Sequence, residues 1–386
     1  MSVSLQACPS CGRALSFGHE HTNLKVCTCG SVLYRSDDGT VVEKAVLGVQ
    51  QGFEVITPGA GGSWNGEPFT VLGRVRAWIE EFVWNYWTIA FESGRIGYLG
   101  EGYGLYALYE PAEPGPNAAI KTNGSRAGDE VELFPKQYFL LERKYTCYKW
   151  EAEGEAWLPF LPDTFETMEF AATDGRRMEL LRFRNDIRFF NVHYTSFSDL
   201  KLTGLKAYAN EGKKVSCRQC HSQVYVKTWP FAQSFACPAC DSRYGASEGT
   251  IRKLNKRNQT DTGPGLQIGA TGILNGVPYE VIGYALKSES KAAEAQWKEY
   301  TLFHPTEGYA FLSEFEGHYI LARESGNAPV LNSGAATEMI YADEPYQLFN
   351  RYRYTLVNAK GEFPYNLFND GDKDIREFIS PPEMWI

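Results

Sequence analysis

Cys217-Arg-Gln-Cys220 and Cys237-Pro-Ala-Cys240 stand sixteen residues apart, the spacing of a four-thiolate zinc site in which each of two tight loops supplies two ligands. A Cys-x2-Cys turn presents both thiolates from one knuckle and aims backbone N–H groups at the sulfurs, so two knuckles complete a tetrahedral cage. The residue leaving such a knuckle often needs positive φ. Here these residues are His221 and Asp241, which tolerate that conformation better than most side chains, so His221 is read as a turn residue rather than a ligand.

Toward the N-terminus the pattern recurs as Cys8-Pro-Ser-Cys11-Gly12 and Cys27-Thr-Cys29-Gly30, with fifteen residues between the pairs that include His19 and His21. The second knuckle of this copy is one residue short, which weakens the site relative to its counterpart and leaves open that His19 or His21 replaces a cysteine ligand. The expectation is two zinc ribbons holding two structural zinc ions, one on Cys8, Cys11, Cys27 and Cys29, the other on Cys217, Cys220, Cys237 and Cys240.

After each ribbon comes a similar aromatic-rich stretch. Trp64-Asn65-Gly66-Glu67 answers Leu274-Asn275-Gly276-Val277, and Asn-Gly between apolar segments predicts a type I′ hairpin because both residues accept positive φ. Trp84, Trp87, Thr88 and Ile89 answer Trp297, Tyr300, Thr301 and Leu302, and two further strand-and-turn segments follow in each stretch. This is a β-meander, and its aromatics at strand period are read as core rather than as a base-stacking platform. Further on, Pro135-Lys-Gln137-Tyr-Phe139 answers Pro345-Tyr-Gln347-Leu-Phe349, Tyr145 answers Tyr354, and Gly154-Glu155 answers Gly361-Glu362, an offset of about 210 throughout. That register sets Cys147 opposite Leu356 and makes it a buried small apolar residue, with a leucine there expected to fit.

The fold class expected is mainly β: two tandem modules, each a zinc ribbon followed by a β-barrel or sandwich-like meander. The domains are ribbon 1 over 1–45, β domain 1 with a C-terminal extension over 57–210, ribbon 2 over 211–250 and β domain 2 over 266–386. A chain of 386 residues with 23 Tyr, 23 Phe and 37 Gly suits that architecture. The extension, 156–210, carries Arg182 and Arg184 alternating with Leu181 and Phe183, read as a strand with one solvated basic face. The segments 58–62, 111–130, 252–265 and 324–343 read as turn-rich linkers and loops.

A net charge of −9 and a pI near 5.4 oppose nonspecific binding to nucleic acid or anionic lipid, which need surplus cations. No apolar run is long enough to span a membrane. The first residues lack the features of a secretory signal, and paired cysteines without one point to metal in a reducing compartment, so a cytoplasmic location is expected.

The knuckles, the Asn-Gly hairpin ending Val281-Ile282-Gly283, the Trp297-x2-Tyr300 meander, Gly361-Glu362-Phe363 and the close Ile379-Ser380-Pro381-Pro382-Glu383 resemble the bacterial domain of unknown function 4178 family. The second copy resembles it over 268–386, and the first over about 57–160, without the Pro-Pro close. The resemblance implies a cytosolic bacterial β-rich module without assigned catalysis, often encoded near membrane-stress proteins of the phage-shock-protein A type and near polyamine-synthesis enzymes.

No phosphate-binding loop, dinucleotide fingerprint, zinc-protease motif or nucleophile elbow occurs, and no catalytic residue is assigned. Three functions stay in view. The first is a non-catalytic scaffold or adaptor for protein partners, in a membrane-stress or polyamine-linked complex. The second is a nucleic-acid binder using ribbon 2 and Arg252, Lys253, Lys256 and Arg257. The third is a polyamine or small-cation binder offering cation-π faces.

Overall fold

The computed structural model describes residues 5–35, 41–45, 52–80, 82–157, 164–184, 186–208, 212–245, 252–254, 263–290, 295–327, 329, 331, 336–342, 344–367 and 374–386. The chain is mainly β and divides into two compact units, Met1–Tyr208 and Ala209–Ile386.

In the first unit Asn65 and Gly66 take φ of 50° and 82°, the left-handed pair a type I′ turn demands. They fold Gly61–Trp64 back onto β1 (Glu67–Ile79). β2 (Phe82–Phe91), β3 (Ile96–Gly102) and β4 (Leu105–Ala112) follow as the expected antiparallel meander. β5 (Gln137–Ala156) pairs β1 on one side and β6 (Phe165–Ala171) on the other. β7 (Arg177–Arg182) and β8 (Ile187–Thr195) continue from β6, and β8 pairs β4. The ring therefore closes as an eight-stranded antiparallel barrel with no free edge among these strands.

Side chains alternate across each stave, and one row from every strand fills the interior. Val75, Ala77, Tyr86, Tyr98, Ala107, Tyr109, Cys147, Trp150, Phe165, Leu181 and Phe190 form this core. The aromatics are core, as their strand period implied. The extension after Ala156 supplies three staves of the barrel, and it keeps the expected alternation, with Leu181 and Phe183 buried, Arg182 half-buried and Arg184 exposed. Leu181 points inward, Leu180 packs in a second core outside, and the arginines serve the strand ends. Arg177 Nη1 donates to Glu142 at 2.7 Å and Arg182 Nη2 to Thr122 Oγ1 at 2.9 Å. Two segments read as loops are also partly ordered elements. Gly61 and Gly62 begin a strand, and Ala118–Lys121 is one helical turn whose Ala118 joins Val131, Leu133 and Met178 in the outer core.

The second unit repeats the strand order of the meander. Asn275 and Gly276 turn at φ of 49° and 81° into β9 (Val277–Glu289), β10 (Gln296–His304), β11 (Gly308–Phe315) and β12 (His318–Arg323). What is one long strand in the first unit is here two: β13 (Glu344–Tyr352) and β14 (Tyr354–Phe363). β14 pairs β9, whereas β13 pairs β15 (Ile375–Ser380), which pairs β16 (Glu383–Trp385). Among the described residues no strand lies against the outer edge of β12.

The ladders correct the register read from sequence. Gly73 pairs Gly154 and Gly283 pairs Gly361, matching the Gly-Glu landmarks. Both Gly154 and Gly361 have positive φ, 69° and 81°, and a Cβ on either would fall inside contact distance of a facing carbonyl oxygen, of Leu72 or Ile282. Four residues from these anchors, Ala77 pairs Trp150 and Lys287 pairs Leu356. Leu356 thus corresponds to Trp150, not Cys147. At the other end Leu141 pairs Phe170 and Leu348 pairs Phe378, each beside a bulge, which aligns Tyr145 with Tyr352 rather than Tyr354. The local likeness Pro-x-Gln-x-Phe misled because a short shared run does not specify which residues of a distant strand it pairs, and only the ladders fix that.

Candidate metal centres

Each knuckle is built by its backbone. Gly12 N–H donates to Cys8 O, His221 N–H to Cys217 O and Asp241 N–H to Cys237 O, while the N–H of the first cysteine reaches five residues on, to Arg13, Ser222 and Ser242. The shortened knuckle closes one residue tighter: Gly30 N–H donates to Cys27 O, and Cys27 N–H to Ser31 O. The departing residues Gly12, Gly30, His221 and Asp241 sit at φ of 71°, 92°, 59° and 55°. This is the conformation the sequence implied for each, and it turns His221 out of the ligand set.

All four thiols of each ribbon converge, their sulfurs lying within 4.8 Å of one another. Cys8 and Cys29 Sγ are 3.7 Å apart, Cys11 and Cys27 3.6 Å, Cys217 and Cys240 3.6 Å, Cys220 and Cys237 3.7 Å. A disulfide would need about 2.05 Å. A tetrahedron with metal–sulfur bonds of about 2.3 Å has edges of about 3.8 Å, so both groups have the size to hold a metal ion. Neither His19 nor His21 belongs to the first group. His19 Nδ1 instead accepts the His21 N–H at 3.3 Å, and four cysteines suffice despite the short knuckle.

The surroundings of the two cages differ. Tyr244 is buried, its hydroxyl 3.0 Å from Cys217 Sγ, and it accepts the Arg218 N–H at 3.0 Å. Counting from the last cysteine, the same place in the first ribbon is Leu33, which offers no donor. Cys11 and Cys29 are exposed, whereas Cys220 and Cys240 are half-buried.

Each ribbon is also sewn to its β domain. Leu24–Val26 pairs the end of β5, with Lys25 opposite Glu155, and Ser234–Ala236 pairs the end of β14, with Phe235 opposite Glu362. The Glu155 carboxylate accepts Gly18 N–H at 2.8 Å and Thr22 Oγ1–H at 2.9 Å, and pairs with Lys25. Glu362 accepts Lys227 N–H at 2.6 Å and both N–H and Oγ1–H of Thr228 at 2.9 Å. These two glutamates were legible only as half of a Gly-Glu landmark; nothing local marks them as anchors.

Of the basic cluster, Arg252 and Lys253 lie in a strand, Arg252–Leu254, that extends the ribbon sheet by pairing Arg243–Gly245. The start of the expected linker is therefore part of the ribbon. Lys256 and Arg257 lie outside the described residues. No local pattern marks the buried ionic network of the first unit. Arg74 and Arg76, both fully buried, share the Glu54 carboxylate, with Arg74 Nη1 at 2.8 Å, and Arg74 Nε lies 2.6 Å from Glu153. The corresponding residues of the second unit are Tyr284 and Leu286, so this network belongs to one unit and is not part of the shared plan.

No helix among the described residues is long and apolar enough to cross a membrane. No curated protein and no solved structure matches the chain. Residues 267–386, the β domain of the second unit, match the family model described as Domain of unknown function (DUF4178).

Proposed function

We propose that this chain is a non-catalytic, zinc-containing scaffold made of two copies of one module, each a ribbon and a β domain, that presents its surfaces to protein partners. The observation that carries the reading is the donor set. Four cysteines in each cage fill the four tetrahedral positions and leave none for a substrate or an activated water, the arrangement of a structural rather than a catalytic zinc site. Zinc is the ion chosen because it accepts four thiolates in a tetrahedron without redox change. When bound, it supplies the closing energy that a ribbon of about thirty residues does not gain from its own burial. Glu155 and Glu362 then transmit that rigidity to the β domains.

Reduced thiols suit a reducing compartment, and the cytoplasm is the location proposed. The family resemblance makes membrane-stress and polyamine-synthesis proteins the first partners to try. Cobalt substitution tests the central claim. Two tetrahedral thiolate spectra that do not change on adding azide or imidazole fit closed structural sites. A spectrum that shifts with either would mean an open coordination position and would overturn the non-catalytic reading.

A further inference from the structure

The two units share their strand order up to β4 and β12, and then differ in what covers that strand. In the first unit β8 lies along β4, with Tyr106 opposite Thr195 and Ala107 opposite Tyr194. Tyr106 and Ala107 are 3% and 0% exposed. The ladders from β3 and β11 place Tyr319 and Ile320 at the corresponding positions, since Tyr106 pairs Glu101 as Tyr319 pairs Glu314. Those two side chains are 57% and 46% exposed.

An open edge offers a row of unpaired N–H and C=O groups, and monomeric proteins guard such edges with proline, lysine or a bulge. The run Tyr319-Ile-Leu-Ala322 has no charge and no proline, and its ladder to β11 is regular over all six residues.

We infer that a second copy of this chain covers this edge, the two β12 strands pairing antiparallel about a twofold axis centred on Leu321. In a perpendicular twofold, paired residues must lie on the same face, so their sequence numbers share parity, and the centre falls on a residue. Centring on Leu321 sets Ile320 against Ala322 of the partner subunit. The same register sets Tyr319 against the partner's Arg323, a cation over an aromatic face, and His318 against the partner's Glu324, donor against carboxylate. Each of these contacts occurs twice. Centring on Ile320 instead would oppose Glu316 and Glu324, two like charges, twice. Of these two registers the charge pattern favours the one centred on Leu321, and a twofold closes at two copies rather than growing into a fibre. The inference stands on the strand edge alone and does not depend on the metal centres.

Sedimentation of the full chain at micromolar concentration tests it. The expected result is a dimer that becomes monomer in Ile320→Lys, a change at an exposed site that leaves the circular dichroism spectrum intact. His318→Glu is expected to weaken the dimer, and His318→Glu combined with Glu324→Lys to restore it. A wild-type monomer would overturn the inference, as would larger open-ended oligomers or a dimer indifferent to Ile320→Lys. A dimer lost in His318→Glu but not restored by the double change would overturn the register.

Discussion

Glu362 receives the backbone N–H and the hydroxyl of Thr228, each at 2.9 Å, across more than a hundred residues of chain. The first unit repeats the contact in Glu155 and Thr22, also at 2.9 Å. In both, a carboxylate at the end of a β-domain strand holds the hairpin connecting the two knuckles, which makes the ribbon and the β domain one mechanical piece.

Removing that carboxylate strands buried donors. Glu362→Ala is expected to cost about 1–3 kcal/mol, the penalty for leaving Thr228 N–H unsatisfied. Glu362→Gln, which keeps an acceptor, should cost less. Hydrogen exchange at Lys227 and Thr228 reads the effect locally: in the alanine variant those amides should exchange faster while amides of β10 and β11 do not. Unchanged protection at Thr228 would mean the contact contributes nothing.

Graded chelation should strip the N-terminal ion before the second. The first cage closes around a shortened knuckle, exposes Cys11 and Cys29, and lacks the hydroxyl that Tyr244 supplies to Cys217. Native mass spectrometry is expected to show two ions falling to one. Cys29→Ser should retain the ion at Cys217, Cys220, Cys237 and Cys240, and Cys240→Ser the other. Loss of both ions together, or purified protein without metal, would contradict this order.

Glu179 lies inside the barrel, where Tyr86 Oη donates to it at 2.7 Å and Thr167 Oγ1 at 2.9 Å. Burial, with the charge of Glu169, raises its carboxyl to about 7. The folded barrel therefore keeps a proton that the unfolded chain has already lost, and the group's contribution to stability falls as pH rises through the carboxylate range toward about 7, then levels. Glu179→Gln keeps an oxygen for both donors and removes the slope. The variant should gain on wild type by about 3 kcal/mol between acid and neutral pH. Melting curves with a constant difference across that range would refute the burial argument.

Cys147 is fully buried in the barrel core, and burial pushes its thiol up to about 12. Leu356 is not its counterpart, so the expectation that leucine fits no longer holds. Cys147→Leu adds volume to a closed barrel and is expected to cost about 1–3 kcal/mol. Cys147→Ala should be milder, and the native thiol should resist alkylation until the chain unfolds. Denaturant midpoints for the two variants decide between the registers: a neutral leucine would restore the earlier one.

The features legible in the sequence are those whose chemistry is local. Cysteine spacing shaped both cages because a knuckle is completed within six residues by its own backbone. Asn65-Gly66 and Asn275-Gly276 specified their hairpins because positive φ at two successive positions admits few residue types. The meanders followed from period-two alternation over strands joined by short turns.

What only tertiary structure decided depends on pairing between distant strands. Leu180, Leu181 and Phe190 carry the same apolar alternation whether β7 and β8 stand apart or close a ring, so nothing local separates an extension from three staves of a barrel. The exposed Tyr319 and the buried Tyr106 are the same residue type in the same kind of strand; β8 pairs the strand of Tyr106, and Phe197 and Leu200, which follow β8, pack with its ring in one core. Likewise Glu155 and Glu362 become anchors because folding brings them to Thr22 and Thr228. A carboxylate's role depends on which donors reach it, and those donors lie on a different part of the chain.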